Sequence, residues 1–199
     1  RKKAKKNTLI ENFPEIIKNP IIVYAGSFGR INGLLYLVQI AKELNQINSK
    51  INFLLVGDGY DKDRIIDDAK KYGLLNKTFY HLGYLPKNQM PNLLSMATIV
   101  TSFFVDLPEM ENNSANKFFD GLAAGKPIML NYSGWQADLL TNSGAGFIIP
   151  SDNATSAANK INDIIKDDSL LVKMSRASYS LASEFDIDTN YQKFEKVID

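Results

Sequence analysis

Short apolar runs at residues 21–25, 51–56, 78–82, 99–104 and 128–130 alternate along this chain with longer segments of helical period, and no other feature constrains the fold as much. The helical segments fall at 31–44, 61–72, 87–97, 114–124 and 136–142, followed by 153–166 and 170–183. Strand and helix repeated in this order is the rhythm of βαβ units, and strands this apolar need cover on both faces. The expected fold is α/β: a Rossmann-like, doubly wound parallel sheet of about six strands with right-handed crossovers. Residues 147–150 supply its last strand. A chain of 199 residues, 45% of them hydrophobic, has the means to bury one such core.

The domain is expected to run from 20 to 185. The opening Arg-Lys-Lys-Ala-Lys-Lys-Asn is basic and has no core residue, so 1–19 reads as a linker from a preceding domain, with a peripheral hold on anionic lipid as its second reading. Residues 187–197 read as an amphipathic helix, and 186–199 as a tail that need not share the core. The chain starts with neither Met nor a signal-peptide pattern, so a piece of a longer protein is expected.

Composition narrows the function classes. Lys and Arg total 23 against 22 Asp and Glu, and a net charge of +1 provides no electrostatic basis for binding nucleic acid. The lack of cysteine removes disulfides and thiol catalysis and fits a reducing, cytoplasmic setting. No apolar run nears the roughly 20 residues that span a bilayer. His81 is the single histidine and falls within a strand, which favours a packed residue over a metal ligand. No G-x-S-x-G elbow is present to build a serine triad.

The chemistry gathers where strands end. Gly26-Ser27-Phe28-Gly29-Arg30 follows the first run, at the sheet edge where open α/β folds collect ligands and where backbone amides can approach phosphate. Its glycines do not fit G-x-G-x-x-G, and a turn alone would also use them. Arg30 is a candidate phosphate ligand by its guanidinium. Val56-Gly57-Asp58-Gly59 closes the second run, where Asp58 serves either a ligand or the start of the next helix. Leu82-Gly83-Tyr84-Leu85 closes the third, with Tyr84 either packed or facing a site. Asp106, Glu109 and Glu111 make the loop after the fourth run acidic, and Ser133-Gly134-Trp135 follows the fifth, where Trp135 walls a pocket or staples a helix.

Residues 112–127, reading NNSANKFFDGLAAGKP, are the most specific stretch. Ser114 is placed to cap a helix whose first turn would present free N–H groups to an anion such as a diphosphate. Lys117 and Asp120, spaced i,i+3, are expected on one face, and Phe118 with Leu122 on another that enters the core. Gly125 and Pro127 then stop the helix.

This stretch resembles the nucleotide-binding signature of family 4 retaining glycosyltransferases of GT-B architecture, in which a helix carrying E-x7-E leads into an Ala-x-Gly-x-Pro turn. It is most similar to the branch whose helix reads N-K-[LF]-[FY]-D, found in enzymes of bacterial surface polysaccharides. The resemblance covers about residues 20–183 and rests most on Asn116-Lys117-Phe118-Phe119-Asp120 and Gly125-Lys126-Pro127. It implies that Asp120 holds the ribose hydroxyls, that Tyr84 borders the base, and that Glu109, Glu111 and Asn112 lie beside the donor sugar. Asn112 stands in the place of the family's first Glu, with Glu111 one residue out of step. Where the family has Gly-Arg and Lys-Gly to grip the diphosphate, this chain has Gly26-Ser27 and Asn32-Gly33, so Lys117 and Arg30 become the candidate cations.

The resemblance implies the donor-binding half of a transferase that uses a nucleotide-sugar, expected to be a UDP-sugar, in capsular, O-antigen or exopolysaccharide synthesis. It implies no cofactor and no metal, a lipid-linked or soluble glycan acceptor held by an absent N-terminal domain, a cytoplasmic place at the inner membrane face, and little turnover by this chain alone. A nucleotide-sugar epimerase or hydrolase of the same fold, a non-catalytic nucleotide or dinucleotide module, and a partner-binding Rossmann-like domain are the alternatives.

Overall fold

The computed structural model describes residues 14–47, 49–186 and 191. The basic opening and, apart from Tyr191, the tail expected at 187–197 lie outside the described residues. Six strands form one parallel sheet: β1 (Ile21–Ala25), β2 (Asn52–Val56), β3 (Phe79–His81), β4 (Ile99–Ser102), β5 (Ile128–Leu130) and β6 (Gly146–Ile148), in the order β3-β2-β1-β4-β5-β6. The connecting helices are α1 (Leu34–Gln46), α2 (Lys62–Lys71), α3 (Met90–Met96), α4 (Asn116–Ala123) and α5 (Trp135–Ser143), with α6 (Ala154–Ile165) and α7 (Asp168–Ala182) following β6.

The apolar runs become strands because both faces of the sheet are covered. Along β1, Ile22 and Tyr24 enter one core with Leu37, Val38 and Ile161 of α1 and α6, whereas Ile21 and Val23 enter the other with Leu94, Phe118 and Leu122 of α3 and α4. Period-two alternation therefore feeds two separate cores from one apolar run. Asn52 opens β2 fully buried and ties the segment before β1 to the sheet: its Nδ2 donates to Ile16 O at 2.8 Å and its N–H to Pro20 O at 2.8 Å. Ile16 itself is buried in the α3/α4 core.

The chain winds outward from β1 to β3, crosses back through α3, and winds the other way from β4 to β6. The loops leaving β1 and β4 consequently part in opposite directions, opening a crevice at their carboxyl ends. α4 lies close over that point because Gly121 replaces a side chain that would meet Ile128 Cδ1 at 2.5 Å and Val100 Cγ1 at 2.9 Å. Among the described residues, no helix is long and apolar enough to cross a membrane.

Candidate functional site

α4 delivers Lys117 to the crevice. The helix does not start on a Ser114 cap: Ala115 is the N-cap residue, in extended conformation, and no side chain caps it. Among the described residues, the N–H groups of Ser114, Ala115, Asn116 and Lys117 have no protein acceptor, so the helix head presents a cluster of free donors. Lys117 Nζ lies 5.3 Å from the centre of the Tyr24 ring and 5.0 Å from that of Phe104, held by cation–π attraction on two sides. Among the described residues no carboxylate pairs with it. Burial pulls its pKa down to about 8, because a desolvated ammonium without a counter-ion favours its neutral form.

Lys117 passes directly beneath the turn after β1. A Cβ on Gly26 would stand 2.9 Å from Lys117 Cε, so the lysine stem uses the space that a side chain would need. The turn itself is clamped. Tyr24 Oη donates to Ser27 O at 2.8 Å, and the buried Asn32 accepts through Oδ1 from Ser27 Oγ at 3.1 Å and from Gly29 N at 3.2 Å. Gly26 N and Phe28 N donate to Val56 O and Asp58 O in the neighbouring turn, each at 2.9 Å. Asn32, at the place where the resemblance expects a lysine, is thus a structural clamp that shapes the loop.

Asp120 does not share a site face with Lys117, contrary to the i,i+3 expectation. It turns toward α3 and lines a groove of about 620 Å³ with Asn116, Phe119, Lys87, Met90 and Pro91. That volume is in the range of small-molecule sites, and the lining has the usual mixture of apolar wall and a few polar groups. Desolvation raises the Asp120 pKa and the nearby Lys87 charge partly offsets the rise. The two residues therefore bracket α4, with a cation at the β1 turn and a carboxylate in the groove beside it.

The remaining candidates divide. The Arg30 guanidinium, expected at a diphosphate, lies over the Tyr60 ring at 4.1 Å and donates to Tyr60 Oη, tying the first two loops together at the rim. Asp58 accepts from Gly59 N at 2.7 Å and pairs with Lys62 Nζ at 3.1 Å; those contacts lower its pKa and serve the start of α2. Gly57 N donates to Gly83 O at 2.9 Å, and His81 Nε2 lies 2.9 Å from Gly57 O with its ring against Phe28, so His81 is a packed strand residue. Tyr84 is 78% exposed, which removes the packing alternative for its ring. Glu109 and Asn112 are exposed on the 3-10 helix Pro108–Asn112, and the Glu111 carboxylate accepts from Ser133 Oγ at 2.8 Å. Trp135 donates from Nε1 to Asn113 O at 2.9 Å, which ties the start of α5 to the segment before α4. Among the described residues, no group of three or more His, Asp or Glu is placed to hold a metal ion.

The sequence reading missed the rings of Tyr24 and Phe104, the clamp at Asn32 and the groove wall at Lys87, Met90 and Pro91. Only Pro91 near a helix start carried a visible signal. Among the described residues, the doubly wound sheet thus carries at its switch point a lysine without a carboxylate partner and a set of unpaired amides, beside a groove holding a carboxylate.

The family described as glycosyl transferases group 1 matches residues 5–181, and the chain belongs to that family. It is 23% identical over 186 residues to the lipopolysaccharide 1,2-N-acetylglucosaminetransferase of Salmonella typhimurium, covering 88% of this chain and 47% of that protein. Anabaena Alr3699/HepE, solved in complex with UDP, is similar with a TM-score of 0.81 at 18% identity, over 98% of this chain and 53% of that one. The C-terminal domain of the group 1 protein LpcC from Francisella tularensis gives a TM-score of 0.69 at 17% identity, covering 92% of this chain and 95% of that domain. The fold is thus the Rossmann-like layer of GT-B glycosyltransferases. The chain spans about half the length of the curated relatives it matches, 47% and 42% of the first two.

Proposed function

We propose that this domain binds the nucleotide end of a UDP-sugar and serves a retaining, family 4 type glycosyl transfer completed by a second domain. The single observation that carries the reading is Lys117, an ammonium without a counter-ion, seated between Gly26 and the free amides at the head of α4. In this reading the diphosphate meets Lys117, the Ser27 N–H and the helix head. Asp120 accepts from the two ribose hydroxyls, since a carboxylate has acceptor capacity for both. The base lies toward the exposed Tyr84, three residues before the groove residue Lys87. Support for UDP comes from the Anabaena protein of the same fold, which was solved with UDP bound.

During transfer the bond between the anomeric carbon and the diphosphate oxygen breaks, and negative charge grows on the departing UDP. Lys117 and the α4 dipole stabilise that charge without a metal ion, and Arg30 adds positive charge at the rim. Glu109, Glu111 and Asn112 face the sugar. The acceptor, a lipid-linked or soluble glycan of a surface polysaccharide, is held by the second domain at the cytoplasmic face of the membrane. The Salmonella lipopolysaccharide transferase supports that pathway.

Calorimetric titration with UDP, with GDP and NADH as comparators, tests the reading. Saturable binding that favours UDP is expected. Preference for NADH, or no binding of any of the three, would contradict it.

A further inference from the structure

The segment Pro108–Asn112 with Asn113 has little to hold it from within. It is one short 3-10 helix on the surface, tied internally by Met110 N to Leu107 O and Asn113 N to Met110 O. Met110 packs on the α3/α4 core, and the segment's hydrogen bonds to other elements come from the turn after β5. Ser133 Oγ donates to Glu111 Oε1 at 2.8 Å, and Trp135 Nε1 donates to Asn113 O at 2.9 Å. Between them Gly134, at φ 101°, lies flush against the segment: a Cβ there would fall on the backbone carbonyl of Glu111. Only glycine meets both demands.

Trp135 is itself anchored on α4. Its ring centre lies 6.4 Å from that of Phe118 and 6.1 Å from that of Phe119, the residues between Lys117 and Asp120. One indole thus joins the helix that carries the candidate diphosphate and ribose ligands to the segment that carries Glu109, Glu111 and Asn112.

We propose that Trp135 is a positioning residue for the sugar end of the donor, acting through its hydrogen bond to Asn113 O and its packing on Phe118 and Phe119. The proposal rests on the donor-site reading above. Trp135 touches neither nucleotide nor sugar; it fixes the distance between the sugar-side segment and α4. Ser133 supports the same register through Glu111.

The test pairs hydrogen exchange of residues 108–115 with titration of UDP, UDP-glucose, UDP-galactose and UDP-N-acetylglucosamine, using wild type, Trp135→Phe and Ser133→Ala. Trp135→Phe keeps an aromatic ring and removes the N–H donor. It is expected to speed exchange in 108–115 selectively over the strands and to weaken the tightest UDP-sugar about fivefold, the fold-change of one hydrogen bond, while UDP changes less than about twofold. Ser133→Ala is expected to act in the same direction, which keeps the test open if the tryptophan variant folds poorly. Unchanged exchange in 108–115, equal weakening of UDP and UDP-sugars, or wild-type affinity that no sugar alters would overturn the proposal. Failure of wild type to bind UDP would instead sink the donor reading, and the exchange result would still decide whether Trp135 holds the segment.

Discussion

Gly26 and Lys117 occupy one another's space: a Cβ on Gly26 would stand 2.9 Å from Lys117 Cε. The first strand's turn and the fourth helix are therefore matched, the one by lacking a side chain and the other by extending a long one. That match brings an ammonium to the switch point although the loop itself has Ser27 and Asn32 where a cation would be expected.

Gly26→Ala is the direct probe of this match. The methyl forces the Lys117 stem aside, and UDP affinity is expected to fall about tenfold while the melting temperature moves by only a few degrees, the scale of a modest overpacking cost. Affinity equal to wild type would show that Lys117 does not need this passage.

Lys117 should also impose a pH dependence. Its pKa in the folded domain is about 8, below the 10.5 of an ordinary lysine, so between these values the unfolded chain binds the extra proton. Stability of the unliganded domain must then rise as pH increases through that window, and Lys117→Met should abolish the rise. UDP binding runs the other way, because the anion needs the charged form: affinity falls as pH rises above about 8, with proton uptake on binding. Calorimetry in two buffers of different ionisation enthalpy measures that uptake directly.

Asp120→Asn separates the groove from the crevice. Loss of the carboxylate should weaken uridine and UDP by a similar factor, roughly tenfold, since the ribose is common to both. The raised Asp120 pKa adds a second sign: wild-type affinity for uridine should fall as the pH drops through it, and the variant should not respond. A variant that loses UDP but keeps uridine would place Asp120 at the phosphates instead.

Much of the fold is legible because the strands are nearly pure apolar runs; residues 21–25 and 128–130 are bounded as observed, the runs 51–56, 78–82 and 99–104 are overlong by one or two residues at their ends, and the last strand, expected at 147–150, is Gly146–Ile148. The glycine turns were readable for the same reason, since each interrupts a run. The site was harder. Ser114 looks like a cap, yet Asn113 and Ala115 on either side of it are extended and the helix starts without one. Helical spacing put Lys117 and Asp120 on one face. The flexible lysine stem instead bends over the sheet edge to Tyr24 and Phe104, a path set by how closely α4 sits on Val100 and Ile128. Arg30 was a candidate cation on local grounds, and its stacking partner Tyr60 comes from the next βα loop. Contacts of this kind depend on tertiary placement, which local pattern does not encode.

Titration of wild type and Lys117→Met with UDP and with uridine tests whether Lys117 holds the diphosphate. The variant should lose about tenfold or more of its UDP affinity, the worth of a charge-assisted contact, and keep its uridine affinity. Equal losses for both ligands, or no loss for UDP, would contradict it.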